Sequence, residues 1–111
     1  MSLKASTTAE TTIRALATRG LDVIASVRES LSVVDLAVIC GQTQIVVRCV
    51  ERGTEEDAHA LRLMLAERDF TRAFIVYTAE DQPHLTGEIE TYPLSRIDEL
   101  AASLAREGRF P

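Results

Sequence analysis

The 111-residue chain has no tryptophan, three prolines, two cysteines and a single lysine, Lys4. Each shortage removes a class of explanation. Two cysteines and two scattered histidines give no metal-ligand spacing, so no structural zinc site is expected. The chain holds no repeat, low-complexity tract or linker, so residues 1–111 read as one domain, with residues 1–5 a loose N-terminal end. A domain of this length buries roughly two-thirds of its unfolded surface without staples. No apolar run reaches membrane-spanning length, and the start of the chain lacks the apolar segment of a signal peptide. The expectation is a cytoplasmic protein, off the membrane, with reduced thiols. An excess of positive charge is also missing. The net charge of −5 argues against strong non-specific DNA affinity, which rests on neutralising phosphates, and leaves room only for a local basic patch.

What the chain does have is a long apolar stretch, Val33 to Glu51, made of two β-branched and aliphatic runs joined by Gly41-Gln42-Thr43. That pattern predicts a central β-hairpin with both faces largely covered. Each run carries one interior charge, Asp35 in the first and Arg48 in the second, and a charge buried alone is expensive. Glycine at the first central position of a two-residue loop suits a type II′ turn, which sets Cys40 opposite Thr43. Asp35 then faces Arg48 directly, on one face with Ala37, Ile39, Val46 and Val50. The other face holds Val34, Leu36, Val38, Cys40, Ile45, Val47 and Cys49. A three-residue loop would instead set Asp35 opposite Cys49 and leave Arg48 to find another partner. In the first register Cys40 and Cys49 stand about 20 Å apart, too far to bridge.

Around this hairpin the remaining elements follow. Thr7 and Glu10 have the spacing of a capping box, and Ala9, Ile13, Leu16 and Ala17 mark a helical face that stops at Gly20. Leu21 to Val27 reads as an edge strand, with a turn at Arg28-Glu29-Ser30. Gly53 breaks the second hairpin strand. Thr54 to Asp57 opens a helix whose acidic first turn suits the helix dipole; Ala58, Leu61, Met64 and Leu65 carry it to about Arg68. Ala73 to Thr78 is continuous and apolar, as a buried parallel strand is after a helical crossover. A polar loop, Glu80 to Thr86, leads to a short edge strand, Glu88 to Tyr92, ended by Pro93. Ser95 to Asp98 resembles a cap, and Ile97, Leu100, Ala101 and Leu104 carry a last helix to Gly108. The order is α-β-β-β-α-β-β-α, a three-layer α/β domain with a mixed central sheet flanked by helices.

A helix with an early glutamate, then Gly20-Leu21-Asp22-Val23-Ile24, then an Asp-led apolar strand, then a second strand ending before a helix, resembles the PD-(D/E)xK nuclease superfamily. The nearest parallels are archaeal Holliday-junction resolvases and the nuclease domains of type IV restriction enzymes. The resemblance covers roughly Thr7 to Thr78 and implies a restriction-endonuclease-like fold. In that family an aspartate and a glutamate on adjacent strands hold Mg²⁺, and a lysine two residues after the glutamate activates the attacking water. Asp35 matches the aspartate and Glu10 the glutamate that resolvases supply from their first helix. Arg48 stands where the strand glutamate belongs, and Val50 where the lysine belongs. The resemblance therefore implies a vestigial site of Glu10, Asp35, Arg48 and Val50. A permanent cation at position 48 competes with any divalent ion. Asp35 would be a metal ligand, and Mg²⁺ a cofactor, only in an active enzyme with relocated ligands, for which Glu51, Glu55 or Glu56 are the candidates.

Ordinary readings stand beside these. Asp35 serves equally well as the partner of a partly buried arginine, and Glu10 as a capping acid. Arg14, Arg28 and Arg52 are the candidates for a nucleic-acid surface, with Arg19 and Arg72 as lesser ones, although scattered arginines are usually solvated. His59 reads as a surface residue, Tyr77 and Tyr92 as core boundary. Ser30 and Ser32 have no adjacent base, so nucleophilic catalysis has no support. Three expectations follow: a degenerate nuclease-fold domain that binds DNA or a protein partner, an active Mg²⁺-dependent endonuclease, or a structural module that forms a homodimer.

Overall fold

The computed structural model describes residues 4–30, 32–67, 70–81, 83, 85 and 89–109. Among these, α1 is Lys4–Thr18, β1 Asp22–Ser30, β2 Val33–Cys40, β3 Thr43–Val50, α2 Glu55–Ala66, β4 Arg72–Tyr77, β5 Glu90–Pro93 and α3 Ile97–Arg109, with a 3-10 turn at Leu94–Arg96 before α3. The five strands form one sheet in chain order, β1-β2-β3-β4-β5. β1, β2 and β3 pair antiparallel, while β3, β4 and β5 pair parallel, so β2 runs against the other four. The sheet is mixed and helices cover both faces, as the apolar patterning requires.

The hairpin has the two-residue loop. Cys40 pairs with Thr43 and Asp35 with Arg48, and Gly41 takes a positive φ of 65°, which costs little without a Cβ. The register sorts the residues onto two cores. Under α1 and α3 lie Leu36, Val38, Val47, Cys49, Phe74 and Val76, packed with Leu16, Leu100 and Leu104. Under α2 lie Val46, Val50, Ile75 and Tyr77, packed with Ala58 and Leu61. Each valine, leucine, isoleucine and phenylalanine among them contributes about 1.5–3 kcal/mol by leaving water. In α3 the spacing of Ile97, Leu100, Ala101 and Leu104 puts all four on the buried face.

The boundaries depart from the sequence pattern in several places. α1 begins at Lys4, so Thr7 and Glu10 lie inside the helix and no capping box forms there. Lys4 and Ala5 are good helix formers and extend the helix past the threonine. Its buried side is Thr8, Ala9, Thr12 and Leu16, while Ala17 is exposed. The stop at Gly20 stands: its φ is 81°, and the amides of Gly20 and Leu21 donate to the carbonyls of Ala17 and Leu16 at 2.9 and 3.0 Å, a Schellman closure. β1 continues through Arg28-Glu29-Ser30 instead of turning there, with irregularities at Val23/Ala25 and Arg28/Ser30. α2 ends at Ala66 with Glu67 as its cap; Arg68 lies outside the described residues. β5 starts at Glu90 and includes Pro93, whose missing N–H is harmless on an edge strand; Glu88 and much of the 80–86 loop lie outside the described residues. Ser95 belongs to the 3-10 turn, and α3 extends one residue beyond Gly108. No helix among the described residues is long and apolar enough to cross a membrane.

Both cysteines are buried and free. Cys40 donates to the Leu104 carbonyl at 3.2 Å. Burial pushes the Cys49 thiol from 9.0 up to about 12, against a smaller opposing effect from the Thr12 hydroxyl. In the unfolded chain that thiol ionises near 9, so the native state holds a proton that the unfolded state has lost. Stability should therefore fall between pH 9 and 12. In urea titrations from pH 8.5 to 10.5, Cys49→Ala should lose up to about 1.4 kcal/mol per pH unit of the slope seen in the parent; equal slopes would contradict this placement.

Candidate functional site

The register that buries Val46 and Val50 beneath α2 also brings Asp35 and Arg48 to that face. Arg48 Nε donates to Asp35 Oδ1 at 2.8 Å, and its Nη2 donates to Asp35 Oδ2 at 2.9 Å. This is a bidentate, charge-assisted pair that fixes both side chains in one plane. The remaining terminal nitrogen, Nη1, donates to Asp57 Oδ1 at 3.1 Å. The three residues are 6%, 7% and 7% exposed. Burial alone would draw the guanidinium down; the hydrogen bonds and charges of Asp35 and then Asp57 outweigh it and hold Arg48 above its ordinary range.

Asp57 does two jobs at once. Its Oδ2 accepts from the Thr54 amide and hydroxyl, each at 3.0 Å, while the Thr54 hydroxyl accepts from the Asp57 amide at 3.3 Å. That is a complete capping box at the start of α2. The aspartate satisfying the first turn of α2 is therefore also the second anion on Arg48, and the helix is tied to the sheet through one guanidinium. Sequence reasoning counted Asp57 only among the dipole-favouring acids. The signal was present: Thr54 and Asp57 have capping-box spacing, and a capping side chain has a fixed direction.

The other candidates do not join this cluster. Val50 is 2% exposed and packed in the apolar core beneath α2. Glu10 is exposed on α1, a helix that packs against the opposite face of the sheet. Glu51, Glu55 and Glu56 are exposed near the ends of β3 and α2. Arg14, Arg28 and Arg52 are exposed on three different elements: α1, β1 and the turn after β3. Arg19 is exposed past the end of α1. Arg72 is committed to Glu90 at 2.6 Å, to Glu107, and to the Phe74 ring, whose centroid lies 4.8 Å from its guanidinium carbon. His59 is exposed on α2. Ser30 and Ser32 share a 3.2 Å hydrogen bond at the surface. Tyr77 is buried, and half-buried Tyr92 packs on Phe74 with centroids 6.1 Å apart.

Mg²⁺ requires oxygen ligands with free lone pairs and retained waters. Both oxygens of Asp35 are taken by the guanidinium, and those of Asp57 are divided between Arg48 and Thr54. A positive group already sits where the metal would have to bind, so these residues do not fit the ion. Among the described residues no group of three or more His, Cys, Asp or Glu is placed to hold a metal. No family model, no curated protein and no solved structure matches the chain.

Leaving both aspartates buried without their cation should cost about 3–5 kcal/mol, the usual penalty for breaking a buried ion pair. Urea denaturation of Arg48→Leu should show that loss. The double variant Asp35→Leu/Arg48→Leu should recover part of it, because Asp57 keeps its bonds to Thr54 while no other orphaned charge remains. A double variant as unstable as the single one would mean that packing, and not charge, sets the cost.

Proposed function

We propose that the chain is a catalytically degenerate domain of the restriction-endonuclease-like fold, acting as a binding module for another protein. The fold assignment is supported by the order α-β-β-β-α-β-β-α, by three layers, and by a five-stranded mixed sheet in which β2 alone is reversed. The loss of catalysis is carried by one observation: the bidentate Arg48 clamp on Asp35, at 2.8 and 2.9 Å. A guanidinium cannot give up a proton near neutral pH or carry a nucleophilic water as a metal does. Val50 supplies no charge two residues later.

A protein partner is favoured over nucleic acid by the charge at the end of the sheet nearest this cluster. Glu29, Glu51, Glu55, Glu56, Glu80 and Asp81 are exposed there, against Arg28, Arg52 and Arg96, with Arg62 3.7 Å from Glu55 and Arg96 paired to Glu99. A phosphate backbone meets net repulsion on such a surface.

The purified protein should neither cleave branched or linear DNA with Mg²⁺ or Mn²⁺ nor show Mn²⁺ binding by calorimetry. Metal-dependent cleavage that disappears in Asp35→Ala would overturn the reading. Salt-sensitive DNA binding, weakened when Arg14 and Arg28 are reversed in charge, would move the partner from protein to nucleic acid.

A further inference from the structure

Among the described residues three large apolar side chains stand about half exposed: Ile24 at 51%, Val27 at 52% and Leu63 at 52%. All three lie on one side of the sheet. Val27 pairs with Asp35 and Ala25 with Ala37, so both share the face that carries Asp35 and α2. Val23 packs beneath α1 and α3; Ile24, the next residue, points the other way, onto the α2 face. Leu63 belongs to α2 itself. It sits about 200° around the helix from the fully buried Leu61, and so points away from its own sheet.

The α2 face is unfinished over β1 and β2. Leu36, Val38 and Cys40 of β2 are buried on the side of α1 and α3, whereas Ala37 and Ile39 on the α2 side are only half-buried, and Ala25 is exposed. α2 packs mainly against β4 and leaves this half of the face open. Two strands span about 10 Å, the width of one helix. The gap therefore holds one helix beside α2, with Ile24 and Val27 on its floor.

The chain carries a matching knob at the matching level. β3 and β4 run parallel, so α2, which joins them, runs back against β3. Asp57 reaches Arg48. Six residues further on, about 9 Å along the helix, Leu63 comes near the level of Val46, about 7 Å back along β3. Val46 pairs with Ala37 and Ala37 with Ala25, which Ile24 and Val27 flank along β1. A two-fold axis parallel to the strands turns one copy onto another without sliding it along them. Two α2 helices then lie side by side between two sheets, each filling the gap of the other copy. Each Leu63 enters between Ile24 and Val27 of the other copy. With both helices of 12 residues and both floors counted, the contact buries on the order of 1,200 Å², the lower bound for specific association. Exposed Asp22, Glu29, Glu56 and Glu67 supply its polar rim.

We propose that this face binds a second copy of the chain, in an isologous dimer with α2 of each copy seated on β1 and β2 of the other. The inference goes beyond the protein-binding reading, which rests on the acidic end of the sheet, and neither depends on the other.

Sedimentation equilibrium over a range of concentrations should show a reversible dimer with a Kd on the order of 10–100 µM. Leu63→Glu and Val27→Lys, at half-exposed positions where the fold tolerates a charge, should each raise that Kd about tenfold or more. Ala17→Glu, on α1 over the opposite face, should leave it unchanged. Leu63 of one copy meets Val27 of the other, so an equimolar mixture of the two variants should associate more tightly than either variant alone. The rim is acidic on both copies, so added salt should strengthen the parent dimer. A chain that stays monomeric at about 1 mM, a dimer that neither substitution weakens or that salt dissociates, or a mixture no tighter than its components would overturn the proposal.

Discussion

A guanidinium held between two carboxylates, in a place nearly closed to water, is the interaction on which the arrangement of sheet and helix depends. Arg48 reaches Asp35 across the hairpin and Asp57 at the first turn of α2. The group carries one positive and two negative charges, so it remains anionic and is costly to bury. Such groups are frequently no more stabilising than apolar side chains of equal volume. Their clearest effect is on specificity. A one-residue slip of β2 against β3 would send Asp35 and Arg48 to opposite faces and leave each buried without its partner. Apolar runs such as Val33–Cys40 and Thr43–Val50, with β-branched residues on both faces, tolerate slippage on packing grounds alone. The ion pair makes the slipped register expensive, and Asp57 extends that choice to the position of α2.

The two faces of the sheet are finished differently. α1 and α3 share one face, with Leu16, Leu100 and Leu104 closing over Leu36, Val47 and Val76. On the other, α2 packs mainly against β4, and the β1 edge is left open, with Ile24 and Val27 about half exposed. β1 nevertheless carries the devices that discourage edge pairing: two irregularities in its register and the charges of Asp22, Arg28 and Glu29. The opposite edge is short, only Glu90–Pro93, and ends in proline. Both edges are thus blunted, one by irregularity and charge, the other by length.

The central hairpin was legible because its constraints are local and strict. Gly41 and the period of two fix which residues oppose one another, and the charges at 35 and 48 allow one comfortable pairing. The order of the elements was legible for a similar reason, since the run from Ala73 lacks alternation and so must be buried on both faces. α1 was harder. Thr8 and Thr12 are 1% and 0% exposed, so polar residues occupy the buried stripe and the apolar periodicity points slightly off the true face, toward Ala17. The extension of β1 through Ser30 was hidden because an edge strand need not alternate. Asp57 was read as a helix-dipole residue because its second role needs the tertiary position of Arg48, nine residues earlier and on another element.

A fixed cation and an exchangeable one give a pair of buried aspartates different chemistry. A divalent ion leaves coordination sites for water and phosphate and activates the water it holds. The Arg48 guanidinium directs three of its five N–H groups at the two aspartates and has no coordination site in which a water could be activated. Around the cluster, the exposed rim at this end of the sheet is mostly acidic, with Glu80 and Asp81 beside a cleft walled partly by Ala79, Pro93 and Leu94. A surface of that kind repels a phosphate backbone and attracts a basic segment of protein. The Arg48 clamp thus commits Asp35 and Asp57 to an internal ion pair, while the exposed charge at the same end of the sheet is mostly negative.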